Sequence, residues 1–320
     1  MTAAIPLPVR QGTPEWLTMR RTGIGSSDAP VIAGERGSVV ELWAVKSGLV
    51  PEPEPDADLA VLFEWGHRLE PVIADWYADH TGRQVRRVNR MLRHPDLPWA
   101  FASLDRVTAK GEKRIVEIKT ERWGWRGDED VPGSVQAQVQ HQMWVTGYEV
   151  ADVAVLTGGS QPKVYEIPRD DAFIDNLVFL ETEFMGWVKS GTRPPMDGSE
   201  NARRVLSKLH PRNDGTLIPP TPDMERVFFD WQAAKVVKDQ AEAEVDTLAN
   251  TLRALIGDAD GIDGLVSWKR AKDSTRVDWP TVANEVGLSD PELLAATIAA
   301  HTTTTEGPRV LRSVWKGSKE

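Results

Sequence analysis

The sequence predicts an α/β core in which helices flank a mixed sheet, and three observations predict it. Three strand-like runs follow one another between residues 84 and 120. A helical pattern then intervenes over residues 134–147. Two more strand runs and an amphipathic helix follow, ending at residue 191. Apolar residues that alternate mark a half-buried strand, and apolar residues recurring at three and four mark a helix.

Each element has its own signal. Residues 13–34 read as a helix, a glycine-containing turn and a second helix, with Ser26, Ser27 and Asp28 as candidates for its N-cap. The Pro- and acid-rich stretch 50–59 reads as an exposed loop. A helix over 62–82 has Leu69, Ile73, Trp76 and Tyr77 on one face and Gly82 as its stop, with Pro71 either kinking it or restarting it. The runs 84–94, 99–108 and 114–120 read as an antiparallel meander. The helix over 134–147 has Val135, Val139 and Met143 on one face and Gly147 as C-cap. Strands at 150–156 and 163–168 precede a helix over 170–191 with Phe173, Leu177, Leu180, Phe184 and Trp187 on one side. Residues 191–201 look like a boundary, which divides the chain into a core domain, 1–198, and an extension, 199–320. The extension holds a long helix from Pro222 to Ile256 and strand-like runs at 264–279 and 309–317.

Composition narrows the function. Apolar residues make up 40% of the 320, enough for a sizeable core. The chain has no cysteine, which excludes disulfides, thiolate zinc sites and iron–sulfur clusters. No stretch approaches the ~20 apolar residues of a membrane span, and residues 1–16 hold no apolar run of signal-peptide length. A cytoplasmic protein is the expectation. The net charge of −10 argues against coating nucleic acid by bulk charge. It leaves room for a local basic cleft, and arginines cluster at 20–21, at 83–93 and at 122–126.

The chemistry is concentrated in Asp105 and in Glu117-Ile118-Lys119. On a strand, Glu117 and Lys119 share one face while Val116 and Ile118 anchor the other. Asp105, near the end of the preceding strand run, can lie beside Glu117. Two adjacent carboxylates repel each other unless a cation sits between them. Their hard oxygens suit Mg²⁺, with the Ile118 backbone carbonyl as a further ligand. Lys119 is placed to orient a water, and the set suits phosphodiester hydrolysis. Glu70 offers a third carboxylate. Strands often carry an acid and a lysine on a wet face, so the motif alone is weak. The glutamines at 136, 138, 140 and 142 form a polar stripe, and His141 has no second histidine at ligand spacing.

Four blocks resemble the phage lambda exonuclease and YqaJ-type viral recombinase family. They are EWLTMRRTGIGSSDAPVIAG, WGHRLEPVIADWY, SLDRV followed by VEIKT, and QAQVQHQMWVTG, in the family's order across roughly residues 10 to 190. The resemblance implies a PD-(D/E)XK, restriction-endonuclease-like αβββαβ core. It implies Glu70, Asp105 and Glu117 as an acidic metal site and Lys119 as the catalytic lysine. It also implies Arg21, Ser26 and Ser27 at the DNA and its terminal phosphate, with Gln138 and Gln142 lining the site. The spacing in RTGIGSSD is one residue tighter than in the lambda enzyme, which leaves Ser26 and Ser27 as alternatives.

The activity so implied is a Mg²⁺-dependent exonuclease on linear duplex DNA, working 5′ to 3′, with Mn²⁺ as a substitute metal. Its partners would be double-stranded DNA ends, a single-strand annealing protein and further copies of itself in a ring such as a trimer, in the host cytoplasm if the chain is phage-encoded. An endonuclease on the same core and an inactive DNA-end binder are the alternatives. Trp123 and Trp125 either stack on bases or pack into the core or an interface. Trp65, Trp144 and Trp187 are expected in the core. Lys269, Arg270 and Lys272 are read as phosphate contacts or as a solvated edge strand.

Overall fold

A computed structural model describes residues 3–10, 12–122, 125, 131–269 and 292. They form two compact units, Met1–Pro211 and Arg212–Glu320.

The first unit opens with β1 (Ile5–Arg10), α1 (Pro14–Arg21), β2 (Ile24–Gly25), α2 (Ala29–Ile32) and α3 (Val39–Lys46). The expected second helix is thus a single turn. Its N-cap residue Asp28 makes no side-chain cap bond, because its carboxylate takes Lys46 Nζ at 2.6 Å and Gly25 N at 2.9 Å instead.

α4 (Ala57–Thr81) begins inside the expected loop, where the Asp56 carboxylate accepts a bond from Leu59 N at 2.8 Å. It runs unbroken through Pro71. Pro71 and His67 lie on the exposed side, so the His67 carbonyl that proline leaves without a donor can reach water. Gly82, at φ 69°, ends the helix as expected.

Next come β3 (Val85–Arg87), β4 (Arg90–Arg93), β5 (Ala100–Ala102), β6 (Arg106–Thr108) and β7 (Ile115–Glu121). They do not form one meander. Each of the first two runs breaks in the middle and serves two sheets. A four-stranded sheet has the order β1-β4-β5-β2. The other has the order β3-β6-β7, then β8 (Val150–Thr157) and β9 (Gln161–Pro168). Alternation reports extended backbone and is blind to which neighbour that backbone pairs with, so the split was invisible in the sequence.

β7 and β8 are parallel, with Glu117 opposite Val153. A parallel pair needs a crossover, and α5 (Gly133–Thr146) provides it. The other pairs in this sheet are antiparallel. The order α4, β3, β6, β7, α5, β8 is the αβββαβ core that was expected.

α6 (Asp171–Ser190) buries Ile174, Leu177, Glu181, Phe184 and Met185. Its inward face is rotated from the expected one: Leu180 is exposed, because the buried carboxylate of Glu181 faces inward to His141. α7 (Glu200–Leu209) puts Ala202 and Val205 into the same core, so the first unit extends past the boundary expected after residue 198.

The second unit contains α8 (Pro222–Ile256) and a hairpin of β10 (Gly261–Ile262) and β11 (Val266–Ser267). Lys269 pairs with Asp260 at 3.6 Å. Arg270, Lys272 and the run at 309–317 lie outside the described residues, as do Trp123 and Arg126. Among the described residues, no helix is long and apolar enough to cross a membrane.

Candidate active site

β7 is amphipathic, as its alternation requires. Val116 and Ile118 pack on Ile73, Ala74 and Tyr77 of α4. Glu117 and Lys119 turn to the opposite face, where α5 lies. Gln138 and Gln142, one helical turn apart on α5, meet them there.

Lys119 Nζ lies 2.8 Å from Glu117 Oε1 and donates to Gln138 Oε1 at 2.9 Å. Gln138 Nε2 donates to Glu117 Oε1 at 2.6 Å, and Gln142 Nε2 donates to Glu117 Oε2 at 2.8 Å. Gln136 and Gln140 bond instead to the carbonyls of Val131 and Pro168. The glutamine stripe therefore divides, with two members at the site and two holding loops.

Asp105 sits at the junction of β5 and β6, where the chain passes from one sheet to the other. The pairing of Arg106 with Val116 brings it alongside Glu117. Asp105 Oδ2 accepts a bond from Ile118 N at 2.9 Å. An extended residue sends its N–H and C=O to the same strand edge, so the Ile118 carbonyl faces that edge too.

Burial and the neighbouring charge of Glu117 push the Asp105 carboxyl up to about 8, against the Ile118 N–H and Lys119, which favour its ionised form. That shift comes from two desolvated carboxylates confronting each other, and a divalent cation between them would relieve it. The donor set fits such a cation: two carboxylates and a main-chain carbonyl, all hard oxygen.

Glu70 also acts on Asp105 through its charge. Its own carboxylate, however, is held by a close ion pair with Arg106 and by Arg87 Nη2 at 3.4 Å. Among the described residues, no group of three or more His, Cys, Asp or Glu is gathered as a metal site. The structure thus brings Asp105 and Glu117 together and sets Glu70 apart on arginines. Arg106 donates to the Asp105 carbonyl at 2.8 Å as well, and nothing in the sequence pattern singled it out.

A cavity of about 160 Å³ joins this cluster to the N-terminal block. Asp105, Glu117 and Gln138 line it together with Trp16, Arg20, Ser26 and Ser27. Arg20 donates to Ser27 Oγ at 2.9 Å and lies over the Trp16 ring at 5.6 Å. Ser26 Oγ is buried with no hydrogen-bond partner among the described residues. Arg21 lies elsewhere, in a depression with Val45, Leu49 and Glu52. Arg36 was not anticipated. It donates to the Ser27 carbonyl at 3.0 Å, and its charge couples to those of Asp28 and Glu117.

Burial raises the Asp28 carboxyl, but Lys46 and Arg20 outweigh burial and hold it below its usual range. Asp28 is thus an anionic strut beneath the Ser26–Ser27 turn. His141 is fully buried between Glu181 Oε1 at 2.7 Å and the Phe101 carbonyl at 2.9 Å, so both of its ring nitrogens are engaged within the core. Trp125 packs on Tyr165 with ring centroids 5.0 Å apart. Trp144 and Trp187 pack on the core, but Trp65, expected there, is 57% exposed.

Residues 15–149 match the YqaJ-like viral recombinase domain. The protein YqaJ of Bacillus subtilis strain 168, described as uncharacterized, is 35% identical over 264 residues, covering 77% of this chain and 79% of its own. The chain belongs to the YqaJ-like viral recombinase family. The aligned length exceeds the Met1–Pro211 unit, so the likeness runs into the second unit. An alkaline exonuclease of Laribacter hongkongensis, LHK-Exo, is 22% identical, with a TM-score of 0.47 over 62% of this chain and 100% of that one. A phage-related exonuclease of Haemophilus somnus 129PT is 13% identical, with a TM-score of 0.41 over 52% of this chain and 94% of that one.

Proposed function

We propose that the first unit is a divalent-metal-dependent deoxyribonuclease that degrades linear duplex DNA from its ends, 5′ to 3′, in recombination. The observation that carries this reading is that one cavity is lined by Asp105, Glu117 and Gln138 together with Arg20, Ser26 and Ser27. Hydrolysis by this site would use the acid pair and Lys119 at the scissile phosphate. End recognition needs cationic and hydroxyl donors at a neighbouring phosphate.

Asp105, Glu117 and the Ile118 carbonyl would hold Mg²⁺, for which Mn²⁺ would substitute. When bound, the ion neutralises charge at the phosphate and acidifies water. Lys119, fixed by Glu117 and Gln138, orients the attacking water and stabilises charge on the phosphate oxygens. Glu70 acts from one step back, holding Arg106 against the Asp105 backbone. Ser26 offers an unused buried hydroxyl and Arg20 a cation to a terminal phosphate, with Arg36 at the turn's outer side. Arg21 stands apart from this group. By family likeness, the protein would assemble as a ring and hand its product to a single-strand annealing protein.

The test is digestion of two duplex DNAs in Mg²⁺, one linear with 5′ phosphates and one covalently closed. Loss of the linear DNA alone supports the exonuclease. Cutting of the circle moves the protein to the endonuclease reading. Metal-independent end binding with no cutting in Mg²⁺ or Mn²⁺ makes it an end binder.

A further inference from the structure

We propose that α8 is a self-pairing surface that joins two copies of this chain as an antiparallel two-helix coil. The 35-residue helix carries an unbroken alternation of four- and three-residue steps at Val227, Trp231, Ala234, Lys238, Ala241, Val245, Leu248, Leu252 and Leu255. That spacing makes one seam along a helix and is the pattern of coiled-coil core positions. Most of the seam is open to solvent among the described residues: Val245 is 64% exposed and Leu255 75%. An isolated helix gains little by placing branched apolar residues along one exposed line. A partner helix of matching pattern buries them.

The sequence of the seam selects both the partner and the direction. An antiparallel copy sets Val227 against Leu252, Trp231 against Leu248, Ala234 against Val245 and Lys238 against Ala241. Large residues then meet smaller ones in nearly every layer. The flanking Lys235 of each copy meets Glu242 of the other, which gives two opposite-charge pairs across the seam. A parallel copy gains a contact between Asp230 and Lys235. It also drives Lys238 onto its own counterpart in the core and stacks alanine on alanine at 234 and 241, leaving those layers underfilled. Charge and volume complementarity therefore favour antiparallel self-pairing. The pairing is independent of DNA cleavage.

The chain has no cysteine, so introduced ones report without background. Full-length Ala234→Cys chains and tagged Val245→Cys chains are mixed and oxidised. The antiparallel coil predicts a 234–245 cross-linked dimer in excess of 234–234 and 245–245 products. Lys235→Glu in both chains should cut that product several-fold, and adding Glu242→Lys should restore it. The double change also lacks the Lys235 contact over the Trp231 ring, so its recovery is assigned to the charge pair. A dominant 234–234 product, the absence of a 234–245 product, or indifference to Lys235→Glu would each overturn the proposal.

Discussion

Gln138 bridges Lys119 and Glu117: its Oε1 accepts from the lysine ammonium at 2.9 Å and its Nε2 donates to the carboxylate at 2.6 Å. The amide therefore fixes the position of the lysine ammonium beside the Glu117 carboxylate. Gln138→Ala should lower kcat by about 10- to 100-fold, as loss of a positioning contact does, and leave KM for DNA nearly unchanged. Steady-state kinetics on a linear duplex checks this. A rise in KM at constant kcat would assign Gln138 to substrate binding.

Asp105 carries a destabilising charge when no cation is bound. Its folded pKa of about 8 lies above the usual carboxylate range, so the folded form loses stability as pH rises from the unfolded value toward 8. Asp105→Asn should therefore raise the thermal midpoint of the metal-free protein by a few degrees near pH 8. The same change should abolish Mg²⁺ binding by calorimetry. A lower midpoint with metal binding intact would contradict the pairing with Glu117.

Arg20, and to a much smaller extent Arg21, should control the choice of DNA end. The ratio of rates on 5′-phosphorylated and unphosphorylated duplexes cancels general losses of activity. Arg20→Ala should bring that ratio close to one, and Arg21→Ala should leave it near the wild-type value. The reverse order would mean that the cavity wall is not the phosphate site.

His141 should make the fold pH-sensitive. Burial lowers its pKa, but Glu181 and the Phe101 carbonyl outweigh burial and raise it above the usual histidine value, with Asp28 adding to the rise. A raised folded pKa gives stability that is complete below the unfolded value and is lost as pH climbs through the folded one. The wild-type midpoint should fall over that window. His141→Gln should start lower, by about 1–3 kcal/mol for a broken buried pair, and should show a flatter curve. Parallel curves for the two proteins would sink the assignment.

The strand that carries Glu117 and Lys119 was readable because its chemistry and its periodicity coincide. Alternation places Glu117 and Lys119 on one face, and the sheet keeps them there. Gln138 and Gln142 were readable as one turn of a helix. What lay beyond reach was long-range pairing. Asp105 could be placed near Glu117, but not at a junction between two sheets, because local alternation carries no sheet identity. Arg20 and Arg21 differ by one step around α1, and only the docked helix shows which faces the cavity. No local pattern marks Arg106 or Arg36, and only folding brings them to Glu70 and Ser27. Trp65 was expected in the core from its place on a helix, yet the first half of α4 stands outside the core.

We propose that Asp105, Glu117 and Lys119 cut DNA. The most direct measurement is the single-turnover rate on a linear duplex in Mg²⁺ for the wild type and Lys119→Ala, with circular dichroism confirming the fold of both. Loss of the lysine should cost on the order of 10³-fold or more in rate with an unchanged spectrum. A folded Lys119→Ala protein that cuts at the wild-type rate would contradict it.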